Sequence, residues 1–271
     1  MRLVAWNIRA GGGVRAQRIV DQLIHWNPDV VALSEFRGTE ASVSIASELH
    51  KAGLCYQRST VDPRAPAVNA LLVASRYPAR VVSLQRAPVD PRRWLHVSVA
   101  GPNPLAVMAV HIPNRVTGRK YAFMDSIIDI ASHWRGPPAI IMGDTNSGRI
   151  DLDEESPAFN KIEDHWLLQM NQLHWRDVFR MLYPQKREYT WYSPNGRNGF
   201  RLDQMYISPA LVPQVRAFRH QWGGHTPDNF MQRSSAENTV RSPAGVGRSA
   251  EQRREILSDH AAMILDIEET Q

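Results

Sequence analysis

One cysteine in 271 residues, Cys55, leaves no internal disulfide to staple the fold. Between Leu54 and Tyr56 it reads as a small buried hydrophobe in a strand. No stretch approaches the roughly 20 uninterrupted apolar residues of a membrane span. The opening Met-Arg-Leu-Val-Ala-Trp-Asn has too short an apolar run for a secretory segment, and no small-residue cleavage site follows. It reads as a first strand, so a cytoplasmic location with no membrane partner is expected. No Gly-x-Ser-x-Gly elbow is present, which argues against serine acyl transfer. Internal repeats and dividing linkers are also lacking, so a single domain over residues 1–271 is expected.

The chain is 43% hydrophobic and 22% charged, ordinary for a globular protein with a sizeable core. Its net charge is +5 and its pI about 9.6. Arginine supplies most of the basic residues, and its planar fork suits phosphate oxygens. That balance favours a polyanionic partner.

Residues 139–148, Ala-Ile-Ile-Met-Gly-Asp-Thr-Asn-Ser-Gly, organise the reading. A short buried strand switches abruptly to Gly143, Asp144, Thr145 and Asn146. Alone, this could be a turn, since Asp, Asn and Gly are turn residues. Similar strand ends recur, however, at Asn7, Glu35, His111 and Asp203, and Asp259-His260 precedes the last strand. In layered α/β folds, ligand sites form from loops beyond strand ends.

Strands are predicted at 3–8, 29–33, 54–58, 68–74, 80–85, 94–99, 105–111, 212–218 and 261–267. Helices are predicted at 14–26, 39–51, 118–134, 159–170 and 175–183, and a hairpin joins 189–192 to 200–207. Strands alternating with helices early, then strands in runs, suggest a layered α/β sandwich. Residues 223–254 have no apolar period and read as a long polar excursion. The acidic run 151–155 lacks the spacing of a calcium loop and reads as solvated charge.

The strand-end set contains three Asp, one Glu, two His and two Asn, and no Cys. It is wrong for structural zinc and suits metal-assisted phosphodiester hydrolysis. Mg²⁺ prefers carboxylate oxygens and keeps several waters, so one or two carboxylates suffice; Glu35 is the best ligand candidate. Arg37, two residues on, is a candidate substrate contact. Asn69, opening a strand, is a candidate site-lining residue, and Trp191 and Trp222 are candidates to stack on bases.

Trp6-Asn7, the 29–35 strand, His111-Ile112-Pro113-Asn114, Gly143-Asp144-Thr145-Asn146, Tyr189-Thr190-Trp191, Arg201-Leu202-Asp203 and Ser258-Asp259-His260 occur in that order. Together they resemble the endonuclease/exonuclease/phosphatase superfamily, which includes exonuclease III, the AP endonucleases and pancreatic deoxyribonuclease. The resemblance implies a four-layered α/β sandwich, two mixed sheets face to face with helices outside. It implies that Glu35 binds Mg²⁺ or Mn²⁺ with Asn7 and Asp259 near it. Asp144 and Asn146 would activate the attacking water or protonate the leaving oxygen. Asp203 would hold His260 charged against the scissile phosphate, with His111 on its other side supported by Asn114. His111 departs from the Tyr usual in AP endonucleases and is more like the deoxyribonuclease and phosphoesterase branches. Thr190-Trp191 and Arg201-Leu202-Asp203 look like exonuclease III. The expected activity is a metal-dependent nuclease, monomeric, acting on DNA with no obligate protein partner. A phosphomonoesterase or phospholipid-headgroup phosphodiesterase is the alternative, and a non-enzymatic nucleic-acid-binding protein a distant third.

Overall fold

Runs such as Ala-Leu-Leu-Val-Ala-Ser and Ala-Ile-Ile-Met-Gly-Asp are buried on both faces, so each needs a layer above and below it. The computed structural model describes residues 1–194, 198–224 and 256–268. Residues 195–197, where the hairpin is expected to turn, and 225–255, almost all of the polar excursion expected at 223–254, lie outside the described residues.

In chain order, β1 (Arg2–Asn7) leads through a glycine loop to α1 (Ala16–Trp26), β2 (Val30–Phe36) and α2 (Glu40–Lys51). Then come β3 (Tyr56–Ser59), β4 (Ala70–Ser75), β5 (Ala79–Val81), β6 (Trp94–Val99) and β7 (Leu105–His111). α3 (Lys120–His133), β8 (Ala139–Asp144) and α4 (Lys161–Gln172) follow. The remainder is β9 (Arg176–Asp177), α5 (Val178–Leu182), β10 (Trp191–Tyr192), β11 (Gly199–Phe200), β12 (Asp203–Ile207), β13 (Val215–Gln221) and β14 (Ala262–Ile267).

Two six-stranded mixed sheets result, ordered β13-β14-β1-β2-β4-β3 and β5-β6-β7-β8-β12-β9, with a small β10-β11 ribbon beside them. The inward faces meet in one core that includes Leu3, Val30, Val73, Val97, Val107, Ile140, Met205 and Leu265. On the outer face of the first sheet, Val4, Trp6 and Leu33 pack against Ile19 and Leu23 of α1 and Ile45 and Leu49 of α2. On the outer face of the second, Met108, Val110 and Ile141 pack against Phe123 and Ile127 of α3 and Trp166 of α4. Helix, sheet, sheet and helix make the four expected layers. In inner strands such as β1, β2, β4, β7 and β8, odd and even residues feed different cores, which is why these strands read as continuous apolar runs.

Local chemistry sets the element ends. Asn27 takes the left-handed φ of 50° that closes α1, and Pro28 cannot continue it. Asn160 and Glu163 form a reciprocal capping box at the start of α4.

Four expectations change. Residues 200–207 are not one strand. Phe200 pairs with Trp191, whereas Asp203 pairs with Asp144 in the large sheet. The chain changes partners at Arg201, whose fully buried guanidinium turns to Asp153 (2.7 and 2.9 Å) and Asp177 (2.6 Å). The 175–183 helix starts only at Val178. Arg176 and Asp177 extend the sheet edge beside β12, and the Asp177 side chain caps the helix. The acidic run 151–155 is not simply solvated, because Asp153 and Glu154 are buried. Asp153 serves Arg201, Arg180 and the Arg149 backbone N–H, while Glu154 accepts from the Phe159 N–H at 2.7 Å. Those arginines come 27 and 48 residues later, so local reading could not see the pairing. Finally, Cys55 is exposed; it lies just before β3 rather than inside a strand.

Direction explains where the polar strand ends meet. β1 and β2 run parallel in one sheet, as β7 and β8 do in the other, so Asn7, Glu35, His111 and Asp144 stand at C-terminal ends. β12 is antiparallel to β8 and β14 antiparallel to β1, so Asp203 opens one and His260 precedes the other. All therefore stand on one rim of the stack.

Candidate active site

Asp144 sits at the tip of β8, in register with His111 of β7 on one side and Asp203 of β12 on the other. Gly143 lets the strand lie this close, because a Cβ there would fall 2.0 Å from the Val110 carbonyl oxygen. The buried Asp144 carboxylate accepts from the Asn146 N–H at 2.9 Å. It also accepts from Asn7 Nδ2 of the opposite sheet at 3.0 Å. His111 Nε2 stands 3.7 Å from the same carboxylate and His260 Nε2 4.0 Å. Burial, opposed by His260 and reinforced by Asp203, pushes the Asp144 carboxyl up to about 7. A carboxyl poised there can take or release a proton near neutral pH.

His260 is held by chain segments from both sheets. Trp6 Nε1 donates to its carbonyl at 2.9 Å, and its own N–H donates to Ser258 Oγ. Its Nδ1 meets Asp203 Oδ2 at 2.9 Å. Burial favours the neutral imidazole, but the charge and hydrogen bond of Asp203 outweigh it and push His260 up to about 10. Burial, with Arg93 and His260 nearby, instead pushes His111 down to about 3. The site thus holds one imidazolium and one neutral imidazole. Because the folded pKa of His260 is raised, its contribution to stability is complete below its unfolded value of about 6.5. It is lost as pH rises through about 10. Asp203→Asn removes the raising partner, so the His260 ring signal, followed by NMR titration, is expected to titrate below 6.5.

Glu35 adopts a left-handed φ of 58° where β2 bulges against β4. Such strain costs about 1–3 kcal/mol in a non-glycine residue and tends to occur where a side chain must be aimed. Its carbonyl accepts from the Gly11 N–H at 2.8 Å and its carboxylate from the Ala10 N–H at 2.7 Å. The tight cluster of possible metal ligands among the described residues is Asp144, Asp203 and His260, with ligand atoms within 4.8 Å of one another. Glu35 stands outside it. That cluster is largely self-satisfied, since Asp203 and His260 hydrogen-bond each other. Asp259 differs: its Oδ1 is buried with no hydrogen-bond partner among the described residues, and the Arg9 guanidinium faces it at 3.9 Å. Arg15 lies within electrostatic reach of both Asp259 and Glu35. An all-oxygen pair that includes a buried carboxylate oxygen accepting no hydrogen bond fits a hard divalent cation.

The remaining candidates are placed unevenly. Asn7 is buried, its Nδ2 on Asp144 and its Oδ1 accepting from the Arg9 N–H at 3.0 Å. Asn146 has a left-handed φ of 49°, and its Nδ2 donates to the Ile112 carbonyl at 2.8 Å. Arg37 and Asn69 are bonded to each other, Nε to Oδ1 at 2.6 Å. Trp191 Nε1 donates to Asp259 Oδ2 at 3.3 Å, and its ring lies 6.4 Å from that of His260. Asn114 is exposed, and among the described residues no hydrogen bond joins it to His111. Its carbonyl instead accepts from Thr117, closing a turn.

Two residues of the site escape sequence reading. Lys120 is buried at the head of α3, paired with buried Glu163, and donates to the Asn146 carbonyl at 2.5 Å. Arg15 bonds the Arg9 carbonyl at 2.6 Å and the Leu257 carbonyl, tying the glycine loop to the Ser258-Asp259-His260 segment. Neither lies in a motif of its own; the only signal is a basic residue beside a loop that both ends must hold.

Two stacked mixed sheets thus bear acid, amide and imidazole groups on one rim, an arrangement shared with hydrolases of phosphoester bonds, as the family match bears out. The sequence model of the Endonuclease/Exonuclease/phosphatase family matches residues 4–260, and the chain belongs to that family. No significant match was found among curated proteins. In three dimensions it is similar to an AP endonuclease from Archaeoglobus fulgidus, with a TM-score of 0.73 and 17% identity over 99% of both chains. A 3′-5′ exonuclease, NExo, from Neisseria meningitidis gives a TM-score of 0.70 at 20% identity, covering 99% of this chain and 100% of that one. The same Neisseria protein, described as a 3′ phosphatase and bound to a product DNA hairpin, gives 0.71 at 20% identity over 99% of both chains.

Proposed function

We propose that the chain is a Mg²⁺- or Mn²⁺-dependent deoxyribonuclease. The observation that carries this reading is the convergence on Asp144 of Asn7, His111, Asp203 and His260 from both sheets. Asp144 takes a proton from water as its oxygen attacks phosphorus. Asn146, two residues on, orients that water. His260, kept cationic by Asp203, meets the charge growing on the phosphate oxygens, and neutral His111 donates a hydrogen bond to the same group. The ester P–O bond breaks and the leaving oxygen takes a proton from solvent water, leaving one phosphate monoester and one hydroxyl, while Asp144 returns its proton to solvent. Glu35 and Asp259, with Asn7 beside them, would hold the cation, which supplies Lewis acidity at the phosphate when bound.

DNA is favoured as substrate by the net charge of +5, the abundance of arginine and the DNA-bound Neisseria relative. Its description as a 3′ phosphatase supports a second reading, hydrolysis of phosphomonoesters. Cleavage of linear duplex by pure protein is expected with Mg²⁺ and is expected to vanish with chelator, returning when metal is restored. At limiting substrate the rate on DNA should fall steeply with salt, by about 0.9 log units per log unit of salt for each phosphate engaged. A flat salt response with good turnover of a small phosphomonoester would favour the second reading. Chelator-resistant hydrolysis would sink both.

A further inference from the structure

Beside the reacting centre lies a cleft of about 320 Å³ lined by Asn69, Asp90, Arg92, Arg93, Thr117 and Arg119, among others. It spans both sheets, since Asn69 precedes β4 of one and Arg92 and Arg93 precede β6 of the other. Arg93 forms its boundary with the site. The His111 N–H donates to the Arg93 carbonyl at 3.1 Å, and Arg93 Nη1 donates to the His111 carbonyl at 3.3 Å. Pro113, two residues beyond His111, lines the same cleft.

The charges here do not balance. Asp90 answers two of the three arginines, at 3.6 Å from Arg93 and 3.9 Å from Arg119. Among the described residues the Arg92 guanidinium makes no hydrogen bond or ion pair. Asp62 also faces it, but is matched by Arg64 at 3.1 Å. A polar hollow with surplus guanidinium charge is built for an anion with several oxygens.

We propose that this cleft is a second phosphate site, taking the backbone phosphate that neighbours the scissile one on the same strand. Arg92 and Arg119 grip its oxygens, and Arg93 sets its distance from His111. The inference rests on the reading of the chain as a DNA phosphodiesterase, and the experiment below separates the two. It makes the cleft a specificity element: a substrate with one phosphate cannot use it, and a polynucleotide can.

The test compares R92A/R119A with R80A/R135A. The second pair removes the same charge from exposed positions at the far end of the stack, opposite Ser98 of β6 and beyond the end of α3. Binding of a labelled DNA duplex is measured by anisotropy in chelator across a salt series. R92A/R119A is expected to bind about tenfold more weakly, with a salt slope shallower by about 1–2. R80A/R135A should match wild type within twofold, and R92K/R119K should recover most of the affinity. Turnover of the p-nitrophenyl ester of thymidine 5′-phosphate with Mg²⁺, a diester with no second phosphate, should be unchanged in R92A/R119A. Equal duplex binding by the two alanine pairs overturns the proposal. So does a loss on the minimal diester as large as the loss on duplex, which would put the arginines at the scissile phosphate. If wild type hydrolyses no diester while R92A/R119A still loses duplex binding selectively, the phosphate site stands and the nuclease reading fails.

Discussion

Asp144→Asn is expected to lower kcat on duplex DNA by about 10³-fold or more while the melting temperature holds or rises. The amide cannot accept the proton of the attacking water, and proton transfer of this kind contributes about 10²–10⁴-fold. Loss of the charge also removes part of what aligns Asn7, His111 and His260. Stability should not follow activity down. The carboxylate is buried and its ionised form disfavoured, as its upward shift to about 7 records. An isosteric neutral group relieves that penalty, although it sets a donor near the Asn146 N–H or the Asn7 amide. Single-turnover kinetics and a thermal melt on the same preparation check both halves. Turnover within a few-fold of wild type would remove Asp144 from the chemistry.

Gly143→Ala is expected to cost more than about 4 kcal/mol, or to leave no soluble protein. Its Cβ would sit 2.0 Å from a backbone oxygen of the neighbouring strand, which cannot swing aside as a side chain would. Its φ of 144° compounds the clash. Gly118→Ala is the control. That residue also has a positive φ, 68°, but nothing lies within 4 Å of an added Cβ. It should cost only the conformational penalty of about 1–2 kcal/mol. Urea titrations of the two variants separate steric exclusion between strands from backbone preference.

The sequence exposes what is local or periodic. Buried strands such as Leu105–His111 appear with correct bounds because both faces are apolar, and the alternation of α1 and α2 with β1 and β2 suggests the layers. The polar strand ends are legible because they interrupt those runs abruptly. What stays hidden is pairing at a distance. Asp153 looks solvated until Arg180 and Arg201 enclose it. Lys120 looks like a helix-start residue until Glu163 and the Asn146 carbonyl bury it. The break at Arg201 inside an apparent strand follows from the same ion network, not from propensity. For Asn114, motif position suggested support for His111, whereas the chain uses it to start a turn.

Asn7 reaches Asp144 from the other sheet across 137 residues of chain. With the His260–Asp203 contact, this amide makes the rim a vernier between two slabs. A slide of one slab by one residue, about 3.3 Å along its strands, would carry Asn7 out of range while leaving every ladder within each sheet intact. Hydrolytic rate therefore reports slab alignment more sensitively than circular dichroism can. A polynucleotide gripped by both rims would in turn lock the two slabs together.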